Sequence, residues 1–358
     1  MNVIEINNND VKLSEFLVDN KHSYFHTFAF KKFIEKAFGV EYSFVCVIGS
    51  NVEAILPIVK IKSKIFGDKI ISSGYIEYGG FAGNCECYED IICYLRDNYS
   101  NDFSYLEIRD FDLNNSDVLS GLLVKEDLYK RFVLELKSFE NLDSVWKNIQ
   151  KSKRKAIKKS LKFLQVRELE LTDLDEFYEL YFENMRRFGS PAYSKKYFES
   201  FFENIVSRGL GKIYGAFYYG KLVSSLLGFY YEDRVHIIIS VSDEKHREFR
   251  ANDIVHWEFI KWAVEEGFDY FDFGRVREGS GQFEYKKKWG AELLDLPSYF
   301  DLWKLDKAPV NDPNDKSYQL KVKAWKMVPS FVSKKVGMKL RKEIGIWFNL
   351  RKKNLNKK

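Results

Sequence analysis

One order of helices and strands occurs twice in this sequence of 358 residues, and it limits the fold more than any other feature. In the first half, hydrophobic periodicity and turn residues predict a helix at 24–38, strands at 44–48, 54–61 and 69–73, a helix at 88–98, and strands at 105–109 and 131–136. In the second half they predict strands at 213–218, 222–231 and 235–241, a helix at 253–266 and a strand at 270–276. The stretch F-S-Y-L-E-I-R-D at 103–110 also matches F-D-Y-F-D-F-G-R at 268–275. We therefore expect two α/β domains of one fold.

Charge is divided unevenly along the chain. Residues 316–358 hold 14 Lys and Arg residues and one acid, Glu343, so this segment has a charge of +13. The rest of the chain holds 43 basic and 51 acidic residues and has a charge of −8. Val332, Val336, Leu340 and Ile344 lie at helical spacing among the basic residues, with Trp347 and Phe348 beyond them, which predicts a basic amphipathic helix. Such a tail binds an anionic membrane surface, or it packs on the acidic body.

The four cysteines and five histidines do not form a metal-binding pattern. Cys85 and Cys87 are closer together than the usual zinc pair, and His22 and His26 have helical spacing but no third ligand. We therefore expect no metal site. The first residues lack the regions of a secretory signal, and no apolar run approaches the roughly 20 residues that span a bilayer. These features predict a cytoplasmic protein, peripheral on the inner face of the membrane where the tail binds it.

The stretch 269–290, D-Y-F-D-F-G-R-V-R-E-G-S-G-Q-F-E-Y-K-K-K-W-G, is the strongest candidate for a functional site. It predicts a strand, a Gly-Ser-Gly turn and a short helix with three consecutive lysines. Glycine lets backbone N–H groups approach a ligand, and the start of a helix favours negative charge. A solvated surface helix would also explain the lysines.

Two helical stretches carry concentrated positive charge. A helix is predicted at 142–164, and residues 146–164 of it include eight basic residues and no acid, which favours a polyphosphate, a nucleic-acid backbone or an anionic membrane as partner. Further helices are predicted at 173–188 and 195–208. The first of these ends in N-M-R-R-F-G-S-P, where Arg186 and Arg187 bind a carboxylate or phosphate, or compensate the helix dipole.

The predicted order of the second half resembles that of GNAT acetyltransferases. The resemblance implies a glycine-containing loop for the pyrophosphate of acyl-CoA, placed between the fourth strand of that fold and the next helix. The corresponding stretch here is H-R-E-F-R-A-N-D at 246–253, which contains no glycine. Phe249 and Asp253 stand where close backbone approach would be needed, so we expect their side chains to block the phosphates.

Five motifs in one order resemble the FemAB/FemX-type aminoacyltransferases, and among them the FemAB-like proteins associated with exopolysaccharide and PEP-CTERM systems. The motifs are W-x7-R-x-x-I-x-K at 146–159, N-M-R-R-F-G-S-P at 184–191, N-x4-W at 252–257, F-D-F-G-R at 271–275 with G-S-G at 279–281, and Y-K-K-K-W-G at 285–290. The resemblance covers most of residues 20–305. It implies two tandem GNAT-like domains, an α/β (α+β) fold, and no metal or tightly bound cofactor.

The resemblance also implies which residues act. An aromatic residue and a lysine, here Tyr285 and Lys286, would lie beside the reacting ester carbonyl, where the lysine stabilises developing negative charge. The family has Phe at the position of Tyr285. The candidate substrate-binding residues are Arg154, Arg187, Asn252, Arg275 and Ser280. No nucleophile with a base is identifiable, so direct transfer without a covalent enzyme intermediate is expected.

We therefore expect an N-terminal GNAT-like domain at 1–140, a C-terminal GNAT-like domain with the active site at 141–306, and a basic tail at 307–358. The predicted activity is transfer of an acyl or aminoacyl group to an amine of a cell-envelope glycan or peptide precursor, which is lipid-linked where the tail binds membrane. The donor is aminoacyl-tRNA or acyl-CoA. One alternative is a CoA-dependent GNAT acting on an amino sugar. The other is a non-catalytic protein of envelope assembly or nucleic-acid binding.

Overall fold

The computed structural model describes residues 2–8, 10–20, 22–64, 66–309 and 316–345. Its strands are β1 (Asn2–Ile6), β2 (Tyr42–Ile48), β3 (Val52–Ile61), β4 (Lys69–Ser72), β5 (Ala82–Gly83), β6 (Tyr105–Ile108), β7 (Val124–Glu135), β8 (Gln165–Glu168), β9 (Gly211–Tyr218), β10 (Lys221–Tyr231), β11 (Arg234–Ser242), β12 (Tyr270–Val276) and β13 (Glu292–Leu302). Its α-helices are α1 (Val11–Asp19), α2 (Phe28–Phe38), α3 (Tyr88–Tyr99), α4 (Ser116–Leu122), α5 (Leu142–Asn148), α6 (Lys151–Ser160), α7 (Leu174–Phe188), α8 (Lys195–Asn204), α9 (Ala251–Glu265), α10 (Gly281–Lys286), α11 (Lys316–Met327) and α12 (Ser330–Ile344).

The chain divides into two compact units. Among the described residues, the first unit comprises those within 2–128, 295–309 and 335–345, and the second comprises those within 129–294 and 316–334. Strands β1, β2, β3, β4, β6 and β13 are neighbours in that order in the first unit, and β7, β12, β11, β10, β9 and β8 are neighbours in that order in the second. The domain boundaries expected from the sequence stay a prediction.

The repeated order that the sequence predicted is present in the two units. In the first unit β2, β3 and β4 are antiparallel, α3 follows, and β6 pairs parallel with β4. In the second unit β9, β10 and β11 are antiparallel, α9 follows, and β12 pairs parallel with β11. Each unit has its own apolar core. In each unit a helix precedes the parallel strand, because a chain can bring a strand back parallel to its neighbour only through a crossover connection.

In the second unit, β11 and β12 pair only at their starts. The parallel register joins Arg234, Val235 and His236 to Tyr270, Phe271 and Asp272, and the remaining residues of β11 pair with β10 but not with β12. Near the same point the register of β12 with β7 is interrupted between Asp272 and Arg275. The carboxyl ends of β11 and β12 are therefore not paired with each other.

The helix predicted at 142–164 is wrong as a single element, because the chain forms α5 and α6 with a break at Ile149 and Gln150. Both residues have extended backbone conformations. The backbone N–H of Gln150 donates to the carbonyl of Lys288 at 3.2 Å, and Asn148 Nδ2 donates to the carbonyl of Gly290 at 3.1 Å. The break therefore fastens this region to the chain that follows α10. A long-range contact of this kind does not change the local helical periodicity of the sequence, so that periodicity does not predict the break.

The sequence also missed β13, which runs from Glu292 to Leu302. Pro297 lies inside it, and a proline normally argues against a strand because it cannot donate to the ladder. The pairing of β13 with β6 uses only residues 299–302, beyond the proline.

The last turn of α12 packs on the first unit. Ile344 is buried, Lys342 Nζ donates to the carbonyl of Gly39 at 2.9 Å, and Ser63 Oγ donates to Glu343 at 2.9 Å. This end of the predicted amphipathic stripe is therefore covered by protein. Trp347 and Phe348, which the sequence analysis included in the stripe, lie outside the described residues.

We expect Gly290→Ala to lower the free energy of unfolding more than Gly267→Ala does. Both glycines have positive φ angles, of 72° and 80°, where a Cβ atom costs about 1 kcal/mol. A Cβ at Gly290 would also lie 2.3 Å from Asn148 Nδ2 and 2.9 Å from the Asn148 carbonyl oxygen, whereas at Gly267 nothing lies within 4 Å. Overpacking adds about 1–3 kcal/mol, and urea unfolding followed by tryptophan fluorescence measures the difference. Equal losses in the two variants would contradict the packing described for Gly290.

Candidate functional site

The site is built on the segment that leads from β12 through α10 to Gly290. Ser280 begins α10 as its N-cap, and its Oγ accepts a hydrogen bond from the backbone N–H of Phe283 at 3.1 Å. Gly279 has a φ of 73°, which favours glycine, and a Cβ at Gly279 or Gly281 would meet nothing within 4 Å. The Gly-Ser-Gly turn therefore faces open space. Ser280 is held as a helix cap in this arrangement, and its role in substrate binding stays a prediction.

The three consecutive lysines of this segment have different environments. Lys286 is half-buried, and its Nζ donates to the carbonyls of Gly274 at 2.8 Å and Arg275 at 2.9 Å. Lys287 and Lys288 are exposed. The Arg275 guanidinium lies 4.5 Å from the centroid of the Tyr129 ring. Lys286 thus places its ammonium group at the end of β12, where β12 has separated from β11.

Tyr285 directs its hydroxyl group into the protein. The hydroxyl donates to the backbone carbonyl of Asn252 at 3.0 Å and lies 3.4 Å from His256 Nδ1. Burial, and then the nearby charge of Asp253, raise the pKa of Tyr285 well above its ordinary value. The hydroxyl is therefore protonated at neutral pH and acts as a hydrogen-bond donor. A phenylalanine, which the family has at this position, could not form this bond to α9.

A buried ion pair lies directly beneath Tyr285. Lys153 on α6 and Asp253 on α9 are each 1% exposed and form a salt bridge. Asp253 also accepts from Arg250 Nε at 2.7 Å, and Lys153 Nζ lies 3.1 Å from the centroid of the Tyr285 ring. Burial lowers the pKa of Lys153 to about 8, although the charge of Asp253 acts in the opposite direction. This pair joins two helices and the aromatic residue of the candidate site.

Lys153 is not among the site residues expected from the sequence. The basic residues of this helix were expected to form one cationic face, yet Lys153, Ile157 and Ser160 are buried and lie on one side of α6. The available signal was their spacing, because Lys153 precedes the apolar Ile157 by four residues. Ser160 completes this face, and its Oγ donates to the carbonyls of Phe249 at 2.8 Å and Arg250 at 3.2 Å.

His256 is a second buried titratable group that the sequence analysis did not select. Its Nδ1 donates to the carbonyl of Asn252 at 2.7 Å, and its ring contacts Phe273, Tyr285 and Trp289. Burial lowers the pKa of His256 to about 3, so the ring is neutral at physiological pH. A group with this pKa is a weak base. His256 therefore supports the site as a neutral, oriented aromatic residue.

Asn252 and Arg187 belong to one hydrogen-bond network that joins four elements. Asn252 Oδ1 accepts from Ser224 Oγ at 2.7 Å, and its Nδ2 donates to Ser242 Oγ at 3.1 Å. Asn184 Oδ1 accepts from the N–H of Ser242 at 3.2 Å and from Arg187 Nη2 at 2.7 Å. These bonds hold α7 and α9 to β10 and β11, and the substrate-binding roles of Asn252 and Arg187 stay predictions.

The structure therefore brings some of the predicted site residues together and leaves others apart. Ser280, Tyr285, Lys286 and Arg275 share the β12–α10 segment, and Tyr285 reaches the backbone of Asn252. Arg154 follows Lys153 on α6 and is half-buried. Around it, five lysines of this region are exposed and lie without acidic partners among the described residues: Lys151, Lys155, Lys158, Lys159 and Lys162. Arg187 is linked to Asn252 through Asn184 and Ser242.

The loop between β11 and α9 does not have the features of a pyrophosphate cradle. It contains no glycine, and Arg250 occupies the left-handed conformation, with φ at 58°, immediately before α9. The Asp253 carboxylate lies in the first turn of α9, where a diphosphate would need positive potential and open backbone N–H groups. The residues present therefore do not fit a CoA diphosphate at the start of α9. No cluster of His, Cys, Asp and Glu among the described residues could hold a metal ion.

Comparisons with known proteins agree with this fold. Residues 144–287 match the family model of the acetyltransferase (GNAT) domain, and no curated protein sequence matches the chain. The chain is similar to the crystal structure of FemX, with 13% identity, a TM-score of 0.65, and coverage of 85% of this chain and 98% of FemX. It is similar to a tandem GNAT protein from the clavulanic acid biosynthesis pathway, with 10% identity, a TM-score of 0.56, and coverage of 86% and 100%.

A further similar structure is the C-terminal domain of an Agrobacterium fabrum protein named as a lysylphosphatidylglycerol synthetase. Its identity is 12% and its TM-score 0.55, and the match covers 81% of this chain and 90% of that domain. The expected GNAT-like fold and the resemblance to FemX are confirmed at the level of the fold. The chain thus has the fold of GNAT-type acyltransferases.

We expect the stability contribution of Lys153 to rise with pH. Its pKa is about 8 in the folded protein and 10.5 in a solvated lysine, so the unfolded chain binds more protons between these pH values. The free energy of unfolding therefore increases with pH across this window, by up to about 3 kcal/mol. Lys153→Met should lose this increase, and Lys155→Met, an exposed control on the same helix, should keep it. Urea unfolding from pH 7 to 10.5 tests the prediction, and parallel pH profiles for the wild type and Lys153→Met would contradict it.

Proposed function

We propose that this protein is an N-acyltransferase that transfers an acyl or aminoacyl group to an amine of a cell-envelope glycan or peptide precursor. One observation carries the proposal. In a GNAT-type fold, α10 places Tyr285 and the Lys286 ammonium at the end of β12, where β12 has separated from β11. The reacting residues belong to the domain that the sequence predicted at 141–306.

The chemistry of the proposed step is direct acyl transfer. The acceptor amine attacks the carbonyl carbon of an activated ester, a C–N bond forms, the bond to the leaving oxygen breaks, and the amine loses a proton to solvent. Negative charge develops on the carbonyl oxygen in the tetrahedral intermediate, and the Lys286 ammonium is the positive group placed to stabilise it. The carbonyls of Gly274 and Arg275 orient this ammonium group.

The support for an aminoacyl ester as donor comes from the charge around the site. Asp253 in the first turn of α9 disfavours a CoA diphosphate there, whereas the exposed lysines of α6 favour a larger polyanion. We therefore propose aminoacyl-tRNA as the donor. Acyl-CoA is the second candidate, and the match of residues 144–287 to the acetyltransferase (GNAT) family model favours it.

The acceptor is proposed from the resemblance to FemX-type proteins found in the sequence motifs, and from the fold. The similar Agrobacterium fabrum protein is named as a lysylphosphatidylglycerol synthetase, a name that refers to a lysyl group carried on a phospholipid, so the same fold is associated there with a membrane acceptor. An amine on a lipid-linked envelope precursor would agree both with the resemblance to FemX-type proteins and with an acceptor in the membrane.

We expect Lys286→Ala to lower the rate constant of acyl transfer about 10²–10³-fold, the range found when a group that stabilises an oxyanion is removed. Lys287→Ala is the matched control, because Lys287 is adjacent, equally charged and exposed, and its rate should stay within about twofold. Single-turnover transfer from a labelled donor to an envelope precursor measures both. If Lys286→Ala and Lys287→Ala had the same activity as the wild type, the proposed role of Lys286 would be wrong.

Donor choice can be tested by binding. Titration calorimetry of the wild-type chain with acetyl-CoA should show no micromolar binding, because the loop before α9 has no glycine and Asp253, held by Lys153 and Arg250, occupies the first turn of α9. Aminoacyl-tRNA should bind, with an affinity that falls steeply as salt increases. Replacing Lys155, Lys158 and Lys159 by Ser should weaken tRNA binding and reduce its salt dependence. Micromolar binding of acetyl-CoA would instead favour the CoA-dependent alternative.

A further inference from the structure

Large apolar side chains are exposed on α11 and at the start of α12. Leu320 is 65% exposed, Met327 78% and Phe331 70%. Met327 and Phe331 lie on either side of the turn at Val328 and Pro329 that joins the two helices. Exposed apolar residues scattered singly are ordinary on a protein surface, and here three of them lie within twelve residues of one helical segment.

The same segment is strongly basic. Residues 316–342 contain nine Lys and Arg residues and no acid. Lys323 and Lys326 are exposed near Met327, so positive charge borders the apolar side chains. We call Leu320, Lys323, Met327 and Phe331 the junction surface, and Lys326 lies at its edge, on the side of α11 that faces α7.

The opposite side of this segment packs on the second unit. A Cβ at Gly189 would lie 2.7 Å from Val322 Cγ1 and 2.9 Å from Lys326 Cε, so α11 lies against the end of α7. Lys334 forms a salt bridge of 2.6 Å with Glu179 on α7. These contacts fix which side faces outward. Leu320, Met327 and Phe331 are not residues of the stripe that the sequence predicted to contact lipid, in which Ile344 is buried and Val336 is 40% exposed.

We propose that the junction surface docks on an anionic lipid bilayer. Met327, Phe331 and Leu320 enter the boundary between headgroups and acyl chains, while the lysines contact lipid phosphates. Charge complementarity favours an anionic bilayer over a second copy of this chain, since a second copy that docked through the same surface would bring the same positive charge to the contact. Single-stranded RNA would use flat aromatic platforms, and of the three exposed apolar side chains only Phe331 is aromatic. No described helix is long and apolar enough to cross a membrane, and this surface lies on a bilayer without crossing it.

The inference is independent of the proposed acyl transfer, because its evidence lies in α11 and α12. The full-length chain is mixed with vesicles of phosphatidylcholine with 30% phosphatidylglycerol, or of phosphatidylcholine alone, and floated through a density gradient. We expect the chain to float with the anionic vesicles and not with the neutral ones, and to be released by high salt. Met327→Ser with Phe331→Ser should lower the binding constant at least tenfold.

Val11→Ser with Val18→Ser is the control, because these side chains are also highly exposed but lie on α1, and it should bind as the wild type does. Lys286→Ala should also float normally, which separates failure of this inference from failure of the proposed function. Equal flotation of the Met327/Phe331 variant and the wild type would overturn the inference, as would no flotation of the wild type. It would also be overturned if sedimentation velocity showed that the substitutions abolish a dimer instead.

Discussion

The buried ion pair between Lys153 and Asp253 is the interaction on which the candidate site depends. It joins α6 to the first turn of α9, and Tyr285 closes over it with its ring near the ammonium group. Breaking a buried ion pair by removing one partner typically costs about 3–5 kcal/mol, because the remaining charge keeps its desolvation penalty. Arg250 and the Tyr285 ring reduce that penalty here by giving the two charges further favourable neighbours.

This pair also explains why the start of α9 differs from an anion-binding helix terminus. The positive end of a helix dipole attracts negative charge, and here Asp253 supplies that charge from within the protein. Ser160 from α6 binds the carbonyls just before the helix. The position at which a diphosphate would bind is therefore occupied by the protein's own groups, while the exposed lysines of α6 lie on the other side of that helix and remain accessible.

The separation of β11 from β12 decides where chemistry can take place. Only three residue pairs of the two strands are in register, so the ends of the strands are free to part. Lys286 bonds to two carbonyls at the end of β12, and Tyr285 bonds to the backbone of α9. Both side chains are thereby oriented by backbone groups of rigid elements, which is the arrangement that preorganised catalysis requires.

The sequence by itself determined the repeated order of elements, the turn and short helix at 279–290, the absence of glycine before α9, and the segregation of positive charge. These features are local, so periodicity, turn residues and composition express them directly. Only the tertiary structure decided that Lys153 is buried, that α5 and α6 are separate, and that Met327 and Phe331 face outward while Ile344 is covered. The physical reason is that burial depends on contacts between distant residues: Lys153 and Asp253 are one hundred positions apart, and neither position shows the pairing in its own sequence neighbourhood.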